Sequence, residues 1–197
     1  MRPLTPVVKN LLIANVLIYL AQLYFWKVGR PIEEWLALFP VGEGFKPWQL
    51  ISYMFLHDHS SFFHIFFNMF TLYMFGPQLE DVWGSKRFFN FYMICGIAAG
   101  GAQLLLSHGM AVGASGAIMG VMAAFTYLFP NVSVYIMFIP IPVKVKFVIP
   151  ALMALDLFGA VNPSAGDNVA HWAHLGGALC GLLLVIWWNR TNRRRFY

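Results

Sequence analysis

The sequence predicts an all-α, polytopic membrane bundle of six transmembrane helices, and three observations carry that expectation. First, of 197 residues 59% are hydrophobic and only 11% charged, where an ordinary soluble domain carries about 25% charged residues. A soluble fold of this size could not cover itself with so few charges. Second, the mean hydropathy is +0.65, and Gly, Pro and charge clusters cut the chain into six apolar segments, each at or somewhat below the roughly 20 residues a crossing needs. Third, the basic residues cluster at the ends of those segments. The net charge of +5 therefore reads as membrane topology rather than as a nucleic-acid footprint. Soluble globular, disordered and nucleic-acid-binding classes are excluded.

The segments lie at about 7–26, 61–80, 88–107, 112–129, 147–161 and 169–188, within a single membrane domain spanning 1–197 that leaves no stretch for a separate soluble domain. The first ends in Tyr24-Phe25-Trp26 with no small-residue cleavage site, so it reads as a retained span rather than a signal peptide. The link 27–60 holds two stretches of bulky residues, 31–39 and 47–53, which suit short helices lying in the interface. The link 130–146 alternates β-branched residues and carries two prolines, which favours an interfacial hairpin over a span. With both termini inside, Lys27, Arg30 and Lys46 are the outer basic residues, and the other ten of the thirteen are inner. That asymmetry fixes cytoplasmic termini and an even number of spans. The two cysteines, Cys95 and Cys180, sit inside apolar runs and read as small buried residues.

Polar residues in apolar spans are costly, so they mark where function is sought. His64 and Asn68 lie four apart and share a helix face at the start of the second span. Ser115 opens the fourth span within Gly113-Ala114-Ser115-Gly116. His171 and His174 open the sixth. The second, fourth and sixth spans all run from outside to inside, which places His64, Ser115 and His174 in one layer about 5–10 Å below the outer surface. A serine and a histidine there supply a nucleophile and a base. A second histidine, an amide and the start of a helix supply donors for an oxyanion. Gly116 and Gly120 on the fourth span, with Gly177 and Gly181 on the sixth, would let two backbones approach closely. Taken singly, each feature also has a bland reading: a serine bonding its own helix, an interfacial histidine, a packing glycine. His57, His59 and His108 read as exposed on the outer side. Asp156, within the fifth span, receives no role.

Rival chemistries fail on composition. No histidine is followed by Glu, as a His-Glu-x-x-His zinc protease requires. An aspartyl mechanism needs two facing acids, and only Asp156 is available. The soluble-hydrolase elbow is broken by Ala117. A transporter would show inverted repeats and broken helices, and neither is present.

The chain resembles the rhomboid intramembrane serine proteases along nearly its whole length. The likeness is carried by His64-x-x-x-Asn68, by Gly113-x-Ser115-Gly116, by Ala173-His174-x-x-Gly177, and by Gly76-x-x-x-Glu80-x-x-x-Gly84 after the second span. The resemblance implies an endopeptidase that cuts in or near transmembrane segments of other membrane proteins. Ser115 would be the nucleophile and His174 the base, a dyad without an acid. His64, Asn68 and the Ser115 backbone N–H would form the oxyanion hole. It implies a wet cavity open to the outside, lateral substrate access near the second and fifth spans, and a structural Glu80. Neither cofactor nor metal is implied, and the partners are the lipid bilayer and transmembrane substrates. The minimal six-span form is that of prokaryotic members, which points to a bacterial inner membrane. The other class to be weighed is an inactive rhomboid-like protein that binds membrane clients. The sequence differs from many relatives in carrying Trp48-Gln49 for Trp-Arg in the outer loop, and Met119 for an aromatic residue one turn after the serine.

Overall fold

The computed structural model describes residues 4–135, 141–162 and 169–191. Arg2, Arg193, Arg194 and Arg195, counted above among the inner charges, lie outside them, as does the tip of the 130–146 link. In chain order the elements are α1 (Pro6–Lys27), α2 (Glu33–Leu36), α3 (Gln49–Ser52) with a 3-10 turn at Tyr53–Phe55, α4 (Phe62–Trp83), α5 (Ser85–Leu106), α6 (Ser115–Leu128), strands β1 (Ser133–Tyr135) and β2 (Pro142–Lys144), α7 (Val145–Val161) and α8 (His171–Thr191). The six expected segments are α1, α4, α5, α6, α7 and α8. The outer link folds into the short helices α2 and α3. The inner link forms an antiparallel hairpin with Val134 opposite Val143.

Among the described residues, α1, α5 and α8 are long and apolar enough to cross a membrane by themselves. The 14 residues of α6 fall short of that length because α6 is the centre of the bundle. Every residue from Gly116 to Phe125 is buried, so its neighbours rather than lipid surround it. The outer helices invert the soluble pattern. Leu17, Leu20, Phe66, Leu105, Phe158 and Leu183 are exposed, while Asn15, Gln22, Asn68, Glu80 and Gln103 are buried. That is the arrangement expected where the solvent is hydrocarbon and polar groups must be satisfied inside.

The closest approach is between α6 and α8. A Cβ at Gly177 would collide with the Gly116 carbonyl, one at Gly181 with the Gly120 backbone, and one at Gly120 with Cys95 and the Gly177 carbonyl. With no side chain in the way, the two backbones touch directly, as the small-residue spacing foretold. The contact starts beside Ser115 and His174 and therefore sets their separation.

At the opposite end, Glu80 ties three helices together. Its carboxylate accepts the Val7 and Val8 backbone N–H groups at 3.0 and 2.9 Å and the Ser85 hydroxyl at 2.6 Å. It thus occupies the electropositive start of α1 from α4 while touching α5. Gly76 lets Val8 pack against α4, since a Cβ there would stand 2.8 Å from Val8 Cγ2. Gly84 turns the chain between α4 and α5 at φ 78°. The structural role expected of this motif is what the contacts describe. Glu80→Ala is expected to cost about 3 kcal/mol, because charged hydrogen bonds are lost and helix donors are left bare in a dry interior. The check is the unfolding midpoint in detergent micelles.

The outer link is stitched down rather than hydrated. Gln22 of α1 donates to Glu33 at 2.8 Å and to the His57 carbonyl at 2.9 Å, and accepts the His57 N–H at 2.8 Å. Gln49 accepts the Lys46 and Phe39 N–H groups, and Trp48 donates its indole N–H to the Trp35 carbonyl. The Trp48-Gln49 pair anchors the loop in this way. Leu38 and Ala111 exchange backbone hydrogen bonds at 3.0 and 2.9 Å, and Gly113 N–H donates to the Tyr53 carbonyl at 2.9 Å. The outer loop thereby holds the segment that leads into Ser115.

Candidate active site

Three helix starts converge. His64 is in the first turn of α4, Ser115 is the first residue of α6, and His174 is in the first turn of α8. Ser115 Oγ and His174 Nε2 are 2.7 Å apart, a full hydrogen bond between residues 59 apart in sequence. α6 begins at Ser115 rather than near 112 because Gly113, at φ +128°, swings the chain out of the preceding loop. The first N–H groups of α6 have no intrahelical acceptor, so they face the space around the serine.

The tautomer of His64 follows from its surroundings. Asp58 N–H donates to His64 Nδ1 at 3.0 Å, so Nδ1 is the acceptor and Nε2 carries the proton. Where a Cβ on Gly113 would begin, there is a point 3.0 Å from His64 Nε2 and 3.6 Å from Ser115 Oγ. A donor and the hydroxyl thus border one small space, kept open by a glycine. Asn68 lies one turn below on the same face and is buried. Its amide donates to the His64 carbonyl at 2.8 Å, which leaves its second N–H for another acceptor.

Sequence expectations change for two histidines of the 27–60 link and for Asp156. His57, read as exposed, has none of its surface exposed, because Gln22 clamps its backbone and draws the loop over the bundle. Its ring lies 5.2 Å from that of His64. Burial first, and His64 second, push its pKa down from 6.5 to about 3. The unfolded chain therefore takes up that proton before the folded one does. The contribution is complete above pH 6.5 and is lost as pH falls from there towards 3, at up to about 1.4 kcal/mol per pH unit. Midpoints measured from pH 7 to pH 4.5 are expected to fall more steeply in the wild type than in His57→Gln. His59, also read as exposed, is half-buried, its ring tilted at 35° against Trp26 with centroids 3.9 Å apart, and His108 is exposed as expected. The other change concerns Asp156, to which the sequence pattern assigned nothing. Its Oδ1 lies 2.9 Å from His174 Nδ1 and 2.7 Å from His171 Nδ1. The signal that could have found it was there, since a carboxylate within a span asks for a partner by default.

Asp156, His171 and His174 offer ligand atoms within 4.8 Å of one another, a reach that would admit a divalent cation. The same nitrogens already engage the carboxylate, and His174 Nε2 engages Ser115. The donor set therefore fits a hydrogen-bonded relay. Met119, one turn after Ser115, is buried in the core.

A family model described as the Rhomboid domain matches residues 44–190. Among curated proteins, the mitochondrial Rhomboid protein 1 of Saccharomyces cerevisiae is 33% identical over 64% of this chain and 38% of its own length. The mitochondrial RHOMBOID-like protein 6 of Arabidopsis thaliana is 34% identical over 73% and 44%, and the human mitochondrial presenilin-associated rhomboid-like protein is 30% identical over 93% and 50%. The chain spans half or less of the length of these relatives. Their names are mitochondrial, so they lend no support to the bacterial inner membrane expected from the minimal form. What stands is a multi-pass membrane protein. With the family model covering most of the bundle, including all three converging helix starts, the chain belongs to the rhomboid family.

Proposed function

We propose that this protein is an intramembrane serine endopeptidase acting on transmembrane segments of other membrane proteins, with Ser115 as nucleophile and His174 as base. The observation that carries the reading is the 2.7 Å contact between Ser115 Oγ and His174 Nε2, held by glycine-mediated backbone contact between α6 and α8. His174 Nε2 takes the hydroxyl proton as Oγ bonds to the scissile carbonyl carbon. The carbonyl oxygen, now negative, is stabilised by His64 Nε2–H, the Ser115 N–H and Asn68. Collapse breaks the C–N bond, and His174 returns the proton to the leaving amine. Water then hydrolyses the acyl-enzyme by the same steps in reverse roles. The substrate helix must unwind locally, because its intrahelical hydrogen bonds shield the carbonyl, so small or helix-breaking residues are expected near the cut.

With both termini cytoplasmic, the dyad lies in the outer half of the membrane. Cleavage is expected there and is expected to survive EDTA, because the nucleophile is a side-chain hydroxyl. The test is incubation of the purified protein in liposomes with a panel of single-span substrates of known orientation, with Ser115→Ala as control. The scissile bond is mapped by mass spectrometry with and without chelator. A cut in the cytoplasmic half, or activity lost to EDTA and restored by zinc, would overturn the reading. Binding without any cleavage would favour the rival, an inactive client-binding rhomboid.

A further inference from the structure

Asp156 is an expensive residue to keep. A carboxylate within a span is costly unless it is paired, and its side chain is only 13% exposed. Two histidine N–H groups compensate it, at 2.9 Å from His174 and 2.7 Å from His171. Both reach the same oxygen, Oδ1. The histidines are three apart and so share one face of α8, with rings nearly perpendicular at 85°. That face meets the face of α7 bearing Asp156. One turn further along α7, Gly159 clears the space that the His171 ring fills, since a Cβ there would overlap the ring. The cluster is thus built from both helices.

We propose that Asp156 is a positioning residue for the reaction, completing a Ser115–His174–Asp156 relay in which His171 holds the carboxylate in place. The inference rests on the serine-protease reading above and extends it. A carboxylate only accepts hydrogen bonds, so Asp156 keeps the His174 proton on Nδ1. Nε2 is then left with the lone pair that must receive the proton of Ser115. As Oγ bonds to the carbonyl carbon, that proton moves to Nε2 and the ring becomes an imidazolium. Asp156 stabilises the cation without taking the proton. The proton leaves from Nε2 to the amine as the C–N bond breaks, and the relay is restored. His171 donates to Asp156 at a distance from the reacting atoms and acts only through it.

The test uses the full chain in detergent micelles with a fluorogenic single-span substrate, and a fluorophosphonate probe to label Ser115. Asp156→Asn and Asp156→Ala are expected to lower kcat at least tenfold, with KM within twofold of wild type and the thermal midpoint within a few degrees. Asp156→Glu is expected to recover part of the loss. Added formate is expected to raise the rate of Asp156→Ala, by returning an acceptor to His174 Nδ1. Asp156→Ala turning over within twofold of the wild type would overturn the inference. So would a loss that tracks a fallen midpoint in both the Ala and Asn variants and does not respond to formate. If the wild-type protein neither cleaves nor labels, the protease reading fails and the relay with it. If the wild type cleaves and Asp156→Ala cleaves as fast, the relay alone is wrong.

Discussion

Ser115→Ala and His174→Ala are each expected to abolish cleavage while leaving the bundle folded. In the proposed mechanism the hydroxyl oxygen bonds to the substrate and the imidazole is the base that frees it, so neither loss could be compensated by the other residue. Where such a pair has been dismantled in a soluble serine protease, either single loss costs on the order of 10⁶-fold, and removing both costs scarcely more. The same non-additivity is expected here. Stability should change little. Ser115 and His174 are both half-buried, and neither occupies the α6–α8 glycine contact. The measurements are single-turnover cleavage of a transmembrane substrate, fluorophosphonate labelling and a thermal midpoint for the two single variants and the double. Full activity in either single variant would end the reading of Ser115 and His174 as a catalytic pair.

What could be read in the sequence, and what could not, divides along a physical line. A polar residue in an apolar run stands out, so His64, Asn68, Ser115 and His174 were visible at once, and the common direction of the second, fourth and sixth spans put His64, Ser115 and His174 in one layer. Gly116, Gly120, Gly177 and Gly181 foretold the close helix pair because backbone contact requires the absence of a side chain. Glu80 was legible as structural, though its task of capping α1 was not, because that bond joins residues more than seventy apart. Asp156 was visible as a charge, but its partners were not. Which face of α7 turns towards α8 depends on packing, and hydropathy barely varies around a helix that meets both lipid and protein. His57 was misjudged for the same reason. A histidine in a polar link reads as solvated until Gln22, in another helix, pulls the link inward. The start of α6 was misplaced by three residues, because the apolar run begins before the loop ends and only the positive φ of Gly113 marks the break.

The polar interior has a consistent division of labour. Glu80 joins α1, α4 and α5 at one end of the bundle, and Gln22 and Gln49 fasten the outer link at the other. These groups satisfy one another within the protein and leave nothing for a substrate. The groups at the α4, α6 and α8 starts differ in that each presents a donor or lone pair to a shared space. That contrast separates scaffold from site among residues that look alike by composition.

The second large effect is expected at that shared space. His64→Ala should lower kcat by about 10²–10³-fold, the range found when one oxyanion donor is removed elsewhere, about 2.7–4 kcal/mol. The loss should fall on kcat rather than KM, because the donor meets a charge that exists only in the transition state. Asn68→Ala should lose less, since its amide already donates to the His64 carbonyl at 2.8 Å and one N–H at most is left to act. Both variants should still be labelled slowly by a fluorophosphonate, because Ser115, His174 and the backbone donor remain. Gly113→Ala probes the same space from a third side. Its methyl would sit 3.0 Å from His64 Nε2 and 3.6 Å from Ser115 Oγ, at a φ of +128° that side chains resist,, so it should slow cleavage while leaving both Ser115 and His174 in the chain. Asp58 bonds His64 through its backbone N–H, while its carboxylate accepts from the Ser60 N–H and hydroxyl, bonds an Asn side-chain oxygen can also accept, so Asp58→Asn should leave the His64 tautomer, and the rate, nearly unchanged. The decisive comparison is kcat for His64→Ala against Asp58→Asn on one substrate. Equal rates for His64→Ala and the wild type would remove His64 from the oxyanion site and leave the backbone of α6 to carry the charge.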